Sequence, residues 1–129
     1  MNQTSHKVLL VEDDLFLRRA AEATLKKNGF ATLTAVDGEE ALQVAAIEHP
    51  DLILLDLIMP KLDGFQVLKE LKGNDATRGI PVIILSNLGQ ESDVAQCLEL
   101  GALAHYVKSN LSLQDLVSKV DEVLGRTRP

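Results

Sequence analysis

Three features are scarce in this sequence, and each scarcity narrows what the chain can be. There is one cysteine, Cys97, in 129 residues, so no internal disulfide can form, which fits a reducing compartment; the thiol itself reads as a small buried apolar side chain. No apolar run approaches the roughly 18 residues of a membrane span, and Met1 to Lys7 lacks the apolar core of a signal peptide. The cytoplasm is therefore the expected location. Positive charge is also short: 13 Lys+Arg stand against 19 Asp+Glu, a net charge of −6, and such a surface repels phosphate backbones and anionic lipid. Neither nucleic acid nor a membrane is expected as a direct partner.

What remains is an ordinary globular composition, 46% hydrophobic and 25% charged, without low-complexity segments or internal duplication. That length suffices for one domain, 1–129, to bury a core without disulfides or metal staples. The polar start, Met1 to Ser5, and the basic tail, Gly125 to Pro129, are expected to be loose.

The central stretch is Asp51 to Pro60. Leu52 to Leu55 is short and wholly apolar, as a strand covered on both faces should be, and it stops at a carboxylate, Asp56. The carboxyl ends of strands in open α/β sheets are where ligands bind. Val8 to Val11 is a similar run, ending in Glu12, Asp13 and Asp14. A helix follows with Leu17, Ala20, Ala21, Thr24 and Leu25 on one face, closed by Asn28-Gly29 through a left-handed cap. Phe30 to Val36 is the second strand. Asp37 caps the next helix while Glu40 reaches back in a capping box, with Ala41, Leu42, Val44, Ala45 and Ile47 as its buried stripe. His49-Pro50 stops it, because proline pushes the preceding residue out of the helical region.

Asp63 and Gln66 open a third helix to about Lys72, and Gly73 to Gly79 is a polar connection. Pro81 to Ser86 is a fourth strand ending on a hydroxyl. Glu91 to Leu100 is a weakly hydrophobic fourth helix closed by Gly101. Ala104 to Val107 is a fifth strand ending on Lys108, and Ser112 with Asp115 starts a last helix whose Leu113, Leu116, Val117, Val120, Val123 and Leu124 follow helical spacing. Strict alternation of this kind implies an α/β fold, a doubly wound five-stranded parallel sheet with five helices on its two faces and right-handed crossovers.

All the polar strand endings then share one edge: Glu12, Asp13, Asp56, Ser86 and Lys108. Carboxylates about 5 Å apart repel by about 3 kcal/mol per pair at an effective dielectric near 20, so the edge needs a cation or must protonate one acid. An all-oxygen cluster with room for water and phosphate suits Mg²⁺, held by Glu12, Asp13, Asp56 and a backbone carbonyl near Ile58. A carboxylate beside a metal, an ammonium and a hydroxyl has the parts for phosphoryl transfer to the carboxylate, with Ser86 and Lys108 as donors to the new oxygens.

Val-Glu-Asp-Asp at 11 to 14, Asp-Leu-Ile-Leu-Leu-Asp-Leu-Ile-Met-Pro-Lys-Leu-Asp-Gly at 51 to 64, Pro-Val-Ile-Ile-Leu-Ser at 81 to 86 and Gly-Ala-Leu-Ala-His-Tyr-Val-Lys at 101 to 108 together resemble the receiver domain of two-component response regulators, across nearly the whole chain. The resemblance implies the flavodoxin-like strand order 2-1-3-4-5, Asp56 as phosphoacceptor, Glu12 and Asp13 as Mg²⁺ acids, Ser86 as switch hydroxyl and Lys108 as phosphate-binding lysine. It also implies a phosphohistidine on a sensor histidine kinase or a phosphotransfer protein as donor. The chain stops after its fifth helix, so output is expected through contact with another protein, on the face of the fourth helix, fifth strand and fifth helix, by a monomer or weak homodimer. Such a module is not an enzyme beyond loading and shedding its own phosphate.

Two positions depart from the family pattern. Ser109 stands where proline usually follows the lysine; a cis bond costs about 2.5 to 4 kcal/mol without proline against about 0.5 to 1 with it, so either a trans bond with a rebuilt loop or a strained cis bond is expected. His105 stands where Tyr or Phe is usual at the switch, and Tyr106, on the opposite strand face, cannot replace it without a register slip; His105 is expected to be a smaller rotor that couples Ser86 more weakly to the output face, and a packed or exposed surface histidine is the competing reading. Ile58 and Leu88, two residues beyond acceptor and hydroxyl, are bulky and apolar and are expected to hinder the water that hydrolyses an acyl phosphate. Three other functions compete. An aspartate-nucleophile phosphohydrolase generally needs a second acid where Ile58 stands. A flavin site needs a hydroxyl- and glycine-rich loop where Glu12 to Asp14 stand. The third is an unphosphorylated pseudo-receiver, which Ser109 and His105 favour.

Overall fold

The computed structural model describes residues 6–58, 61–86 and 91–125. Five strands and five helices alternate along them: β1 (Lys7–Val11), α1 (Leu15–Lys27), β2 (Ala31–Ala35), α2 (Gly38–Glu48), β3 (Leu52–Asp56), α3 (Gly64–Gly73), β4 (Val82–Ser86), α4 (Glu91–Glu99), β5 (Ala104–Val107) and α5 (Leu113–Leu124), with a 3-10 turn, Lys108–Asn110, between β5 and α5. The strands form one parallel sheet in the order β2-β1-β3-β4-β5. β3 and β4 are buried at every position, as their uninterrupted apolar text requires, whereas the edge strands β2 and β5 are largely half-buried.

Alternation along the strands divides the core. Leu9, Val11, Ile53, Leu55, Val82 and Ile84 pack with α2, α3 and Cys97 of α4 on one face. Val8, Leu10, Leu52, Leu54, Ile83 and Leu85 pack with α1 and α5 on the other. Burying a side chain of this size stabilises by about 1.5 to 3 kcal/mol relative to leaving it exposed, so a one-residue slip in any central strand would exchange the two faces at large cost.

Helix ends follow local chemistry, with three departures from the sequence expectations. Asp37, Asp63 and Ser112 cap α2, α3 and α5 by accepting from the backbone N–H three residues on, and Ser112 and Asp115 form a reciprocal capping box. Asp14 also caps α1, accepting from Leu17 N at 3.0 Å, a role the acidic triplet concealed. Glu40 reaches back one residue further than a capping box does, accepting from Val36 N at 3.0 Å. His49 ends α2 in the left-handed region (φ 49°, ψ 61°), so proline excluded the helical region but did not leave its neighbour extended. Gly29, at φ 91°, provides the expected left-handed end of α1.

The helical stripes are narrower than their spacing suggested. Of the apolar stripes only Ala21 and Leu25 of α1 are buried, and Ala41 and Ala45 of α2; Leu17 is half exposed and Ile47 is 73% exposed.

Candidate functional site

The site lies at the carboxyl edge of the sheet, where β1 and β3 are neighbours and deliver Glu12 and Asp56 side by side. Carboxylate oxygens of Glu12, Asp13 and Asp56 lie within 4.8 Å of one another. Glu12 and Asp56 are buried while Asp13 faces solvent. The β1–α1 loop is held by Arg18, whose Nη1 donates to the carbonyls of Glu12 (3.0 Å) and Asp13 (3.3 Å), and by the Asp14 N–H donating to Glu12 Oε2 (3.2 Å).

Lys108 supplies the cation that this edge requires. Its Nζ donates to Asp56 Oδ2 at 3.0 Å and to Glu12 Oε1 in a short ion pair. Its stem lines an apolar groove of about 300 Å³ between α1 and α5 with Leu10, Leu17, Leu85 and Leu116, which keeps the methylenes dry and leaves the ammonium at the acids. The Lys108-Ser109 bond is trans, no peptide among the described residues being cis. The chain turns there through the 3-10 segment, whose end is tied by Leu111 N donating to Lys108 O at 3.2 Å. A trans bond with a rebuilt loop thus permits the lysine its reach without proline.

The electrostatics follow from burial and these contacts. Burial pushes the Glu12 carboxyl above its ordinary value of 4.5, and the Lys108 and Asp14 donors only partly pull it back. Burial works against the Lys108 ammonium as well, but the hydrogen bonds to Glu12 and Asp56 outweigh it and hold the group above 10.5. The oxygen-only donor set, with Asp13 open to water, fits a hard cation that keeps several waters.

The remaining predicted residues fall around this centre. Ser86 is fully buried and lies opposite Val107 in the β4–β5 register, one residue from Lys108. Ile58 N–H donates to Asp56 Oδ1 at 3.2 Å, while its side chain is 60% exposed. His105 pairs with Ile84 and Tyr106 with Leu85, strand neighbours that belong to opposite core faces. Tyr106 lies on the α5 side with Lys119 Nζ 5.2 Å from its ring centroid. His105 is half-buried, and its Nε2 is buried with no hydrogen-bond partner among the described residues. Leu88 lies outside the described residues.

Sequence reasoning missed Arg18, Lys61 and two glycines. Lys61 Nζ lies 3.5 Å from Asp37 Oδ2 and 3.6 Å from Glu39 Oε2. The Asp37 carboxyl is held below 3.8, chiefly by the Glu40 N–H; burial works against this, and Lys61 adds to the lowering. Gly38 and Gly64 open α2 and α3, and a Cβ on either would strike backbone or a neighbouring side chain within 3 Å. The legible signal was Asp-Gly at both helix starts, since glycine is a poor helix former and its use there points to a steric demand.

Comparison with known proteins agrees with this geometry. The model of the response regulator receiver domain matches residues 8–121. The chain is 41% identical over 127 residues to the "Probable transcriptional regulator ycf27" of Cyanophora paradoxa, covering 98% of this chain and 52% of that protein; it spans about half the length of the ycf27 relatives it matches. Among solved structures, the Francisella response regulator 1452 receiver domain superposes with a TM-score of 0.87 at 32% identity, covering 96% of this chain and all of that one. The receiver domain of sensor histidine kinase PA1611 from Pseudomonas aeruginosa, whose active site cleft holds a coordinated magnesium ion, superposes with a TM-score of 0.85 at 27% identity, covering 95% and 99%. Receiver domains bind Mg²⁺ in such an acidic pocket, and the family is a signalling module of two-component systems. With the strand order, the acidic edge and the family match in agreement, this chain belongs to the response regulator receiver domains.

Proposed function

We propose that this protein is a phosphorylation-switched signalling module whose phosphoacceptor is Asp56. The observation that carries the reading is the Lys108 ammonium, set between Asp56 and Glu12 at the strand edge. A buried carboxylate fixed from one side by the Ile58 N–H and from the other by an ammonium is oriented before any donor arrives.

In the proposed reaction an Asp56 oxygen forms a bond to phosphorus as the bond from phosphorus to the donor breaks, either the P–N bond of a phosphohistidine or the P–O bond of a small acyl phosphate. The donor leaves with that electron pair, and a departing imidazole takes its proton from solvent. Bound Mg²⁺ supplies positive charge to the phosphoryl oxygens; Glu12, Asp13, Asp56 and the carbonyl of Ile58 are its proposed protein ligands. Lys108 exchanges a carboxylate partner for a phosphoryl oxygen, and Ser86 donates its hydroxyl to another. The product adds close to two negative charges to the edge, and the Ser86 side of β4 and His105 of β5 carry the change toward the face of α4, β5 and α5, where a downstream protein binds. The donor is a sensor histidine kinase or a phosphotransfer protein, and the whole described chain acts as one receiver unit in the cytoplasm, as a monomer or weak homodimer.

The test is incubation with Mg²⁺ and a small acyl phosphate, read by intact mass. One added phosphoryl group that disappears in Asp56→Asn is the expected result. No added mass from a small donor or from a competent kinase overturns the reading in favour of an unphosphorylated scaffold.

A further inference from the structure

We propose that Lys61, through its ion pairs with Asp37 and Glu39, is a positioning residue for the Asp56–Leu57 backbone and thereby for divalent-cation binding at Asp56. This rests on the phosphoacceptor reading above and adds a residue to it. Lys61 lies at φ 70°, a left-handed conformation that L side chains rarely adopt. Its ammonium is tied to the charged groups at the start of α2. Asp37 is the firmer anchor: its side chain is 13% exposed and its Oδ1 is fixed as the cap of α2, accepting from Glu40 N at 2.9 Å.

The segment that follows Lys61 is wedged between two surfaces without spare room. On one side is Gly38, where a Cβ would come within 2.6 Å of Leu62 Cβ and 2.7 Å of Leu62 O. On the other side Gly64 N–H donates to Leu57 O at 2.8 Å, and a Cβ on Gly64 would come within 2.5 Å of Leu57 Cα and 2.7 Å of Asp56 O. The start of α2 thus bears through Lys61, Leu62 and Gly64 on the backbone that carries Asp56. The same backbone, one residue on, supplies the Ile58 N–H that orients the carboxylate.

Exposed ion pairs are individually weak, each equivalent to at most about a fivefold change in an equilibrium, so two of them set the scale at about two- to twenty-five-fold. The full chain carrying Lys61→Ala is expected to show Gly64 amide hydrogen exchange, without metal, and the Mg²⁺ dissociation constant, by calorimetry, both raised within that range. Lys61→Arg is expected to restore both. The sign separates positioning from simple charge: deleting a cation near an acidic site by itself favours Mg²⁺, so a weaker Mg²⁺ affinity in Lys61→Ala is not a field effect. Parent-like exchange and unchanged or tighter Mg²⁺ binding in Lys61→Ala would overturn the proposal. Should the parent fail to accept a phosphoryl group, the phosphoacceptor reading fails by itself, while Gly64 exchange still reads the clamp.

Discussion

Replacing Lys108 with methionine tests the electrostatic account of the site most directly. The substitution keeps the apolar stem in its groove and removes the ammonium from between Glu12 and Asp56, whose side chains are 8% and 9% exposed. At the 4.8 Å limit of the cluster, two bare carboxylates repel by about 3 kcal/mol at an effective dielectric near 20. Removing one partner of a fully buried pair costs about 3 to 5 kcal/mol, and the 20% exposure of Lys108 discounts that, so a loss of about 2 kcal/mol in urea unfolding at pH 8 without metal is expected. The pH dependence has a definite sign. The Glu12 carboxyl already stands above 4.5 in the parent, and losing Lys108 raises it further. A carboxyl raised in the folded state makes the native form bind more protons, so stability is present at low pH and lost as pH rises through the folded value. The deficit of the variant should therefore be small near pH 4.5 and open above it. Mg²⁺ should also stabilise the variant more than the parent, because it replaces the missing cation. A variant within about 0.5 kcal/mol of the parent at pH 8, the margin of an ordinary surface substitution, with equal stabilisation by Mg²⁺, would refute the counter-ion role of Lys108.

Other expectations concern packing and reactivity. Gly64→Ala drives a methyl group into the backbone of Asp56 and Leu57, so a loss of at least about 1 to 3 kcal/mol is expected in thermal or urea unfolding; a neutral substitution would mean that the α3 start does not press on β3. Burial, aided by Asp93, pushes the Cys97 thiol up to about 11, and the side chain is fully buried. Thiol reagents at pH 7 to 8 should label it only as fast as the protein opens, and prompt labelling of the native chain would contradict its burial between α4 and the sheet. Ile58 is 60% exposed beside Asp56, so Ile58→Asn should quicken loss of the phosphoryl group at neutral pH; slower loss would show that the apolar side chain does not hinder water. His105→Ala should weaken the effect of phosphorylation on partner affinity, and an unchanged effect would remove His105 from the switch.

Much of this architecture was legible because it rests on short-range patterns. A wholly apolar run has one stable placement, inside a sheet covered on both faces, and β3 and β4 took it. Cap residues three positions before their partners marked the starts of α2, α3 and α5. The same patterns overstated how much of α1 and α2 is buried, because a helical stripe shows which side turns inward but not how far the sheet side chains reach out to meet it. Lys61 and the two glycines were not legible, since a left-handed lysine and the room at Gly38 depend on where α2 meets the β3–α3 connection.

The sequence by itself determined the alternation of strands and helices and the polar residue at the end of each strand, because hydrophobic periodicity and capping act over a few residues. Which of those endings meet was decided by the tertiary structure. Parallel pairing of β1 with β3 put Glu12 against Asp56, and a trans turn after β5 let Lys108 reach both. No local rule specifies that contact across 52 and 96 residues. It follows from strand order and from the need of two buried carboxylates for a cation.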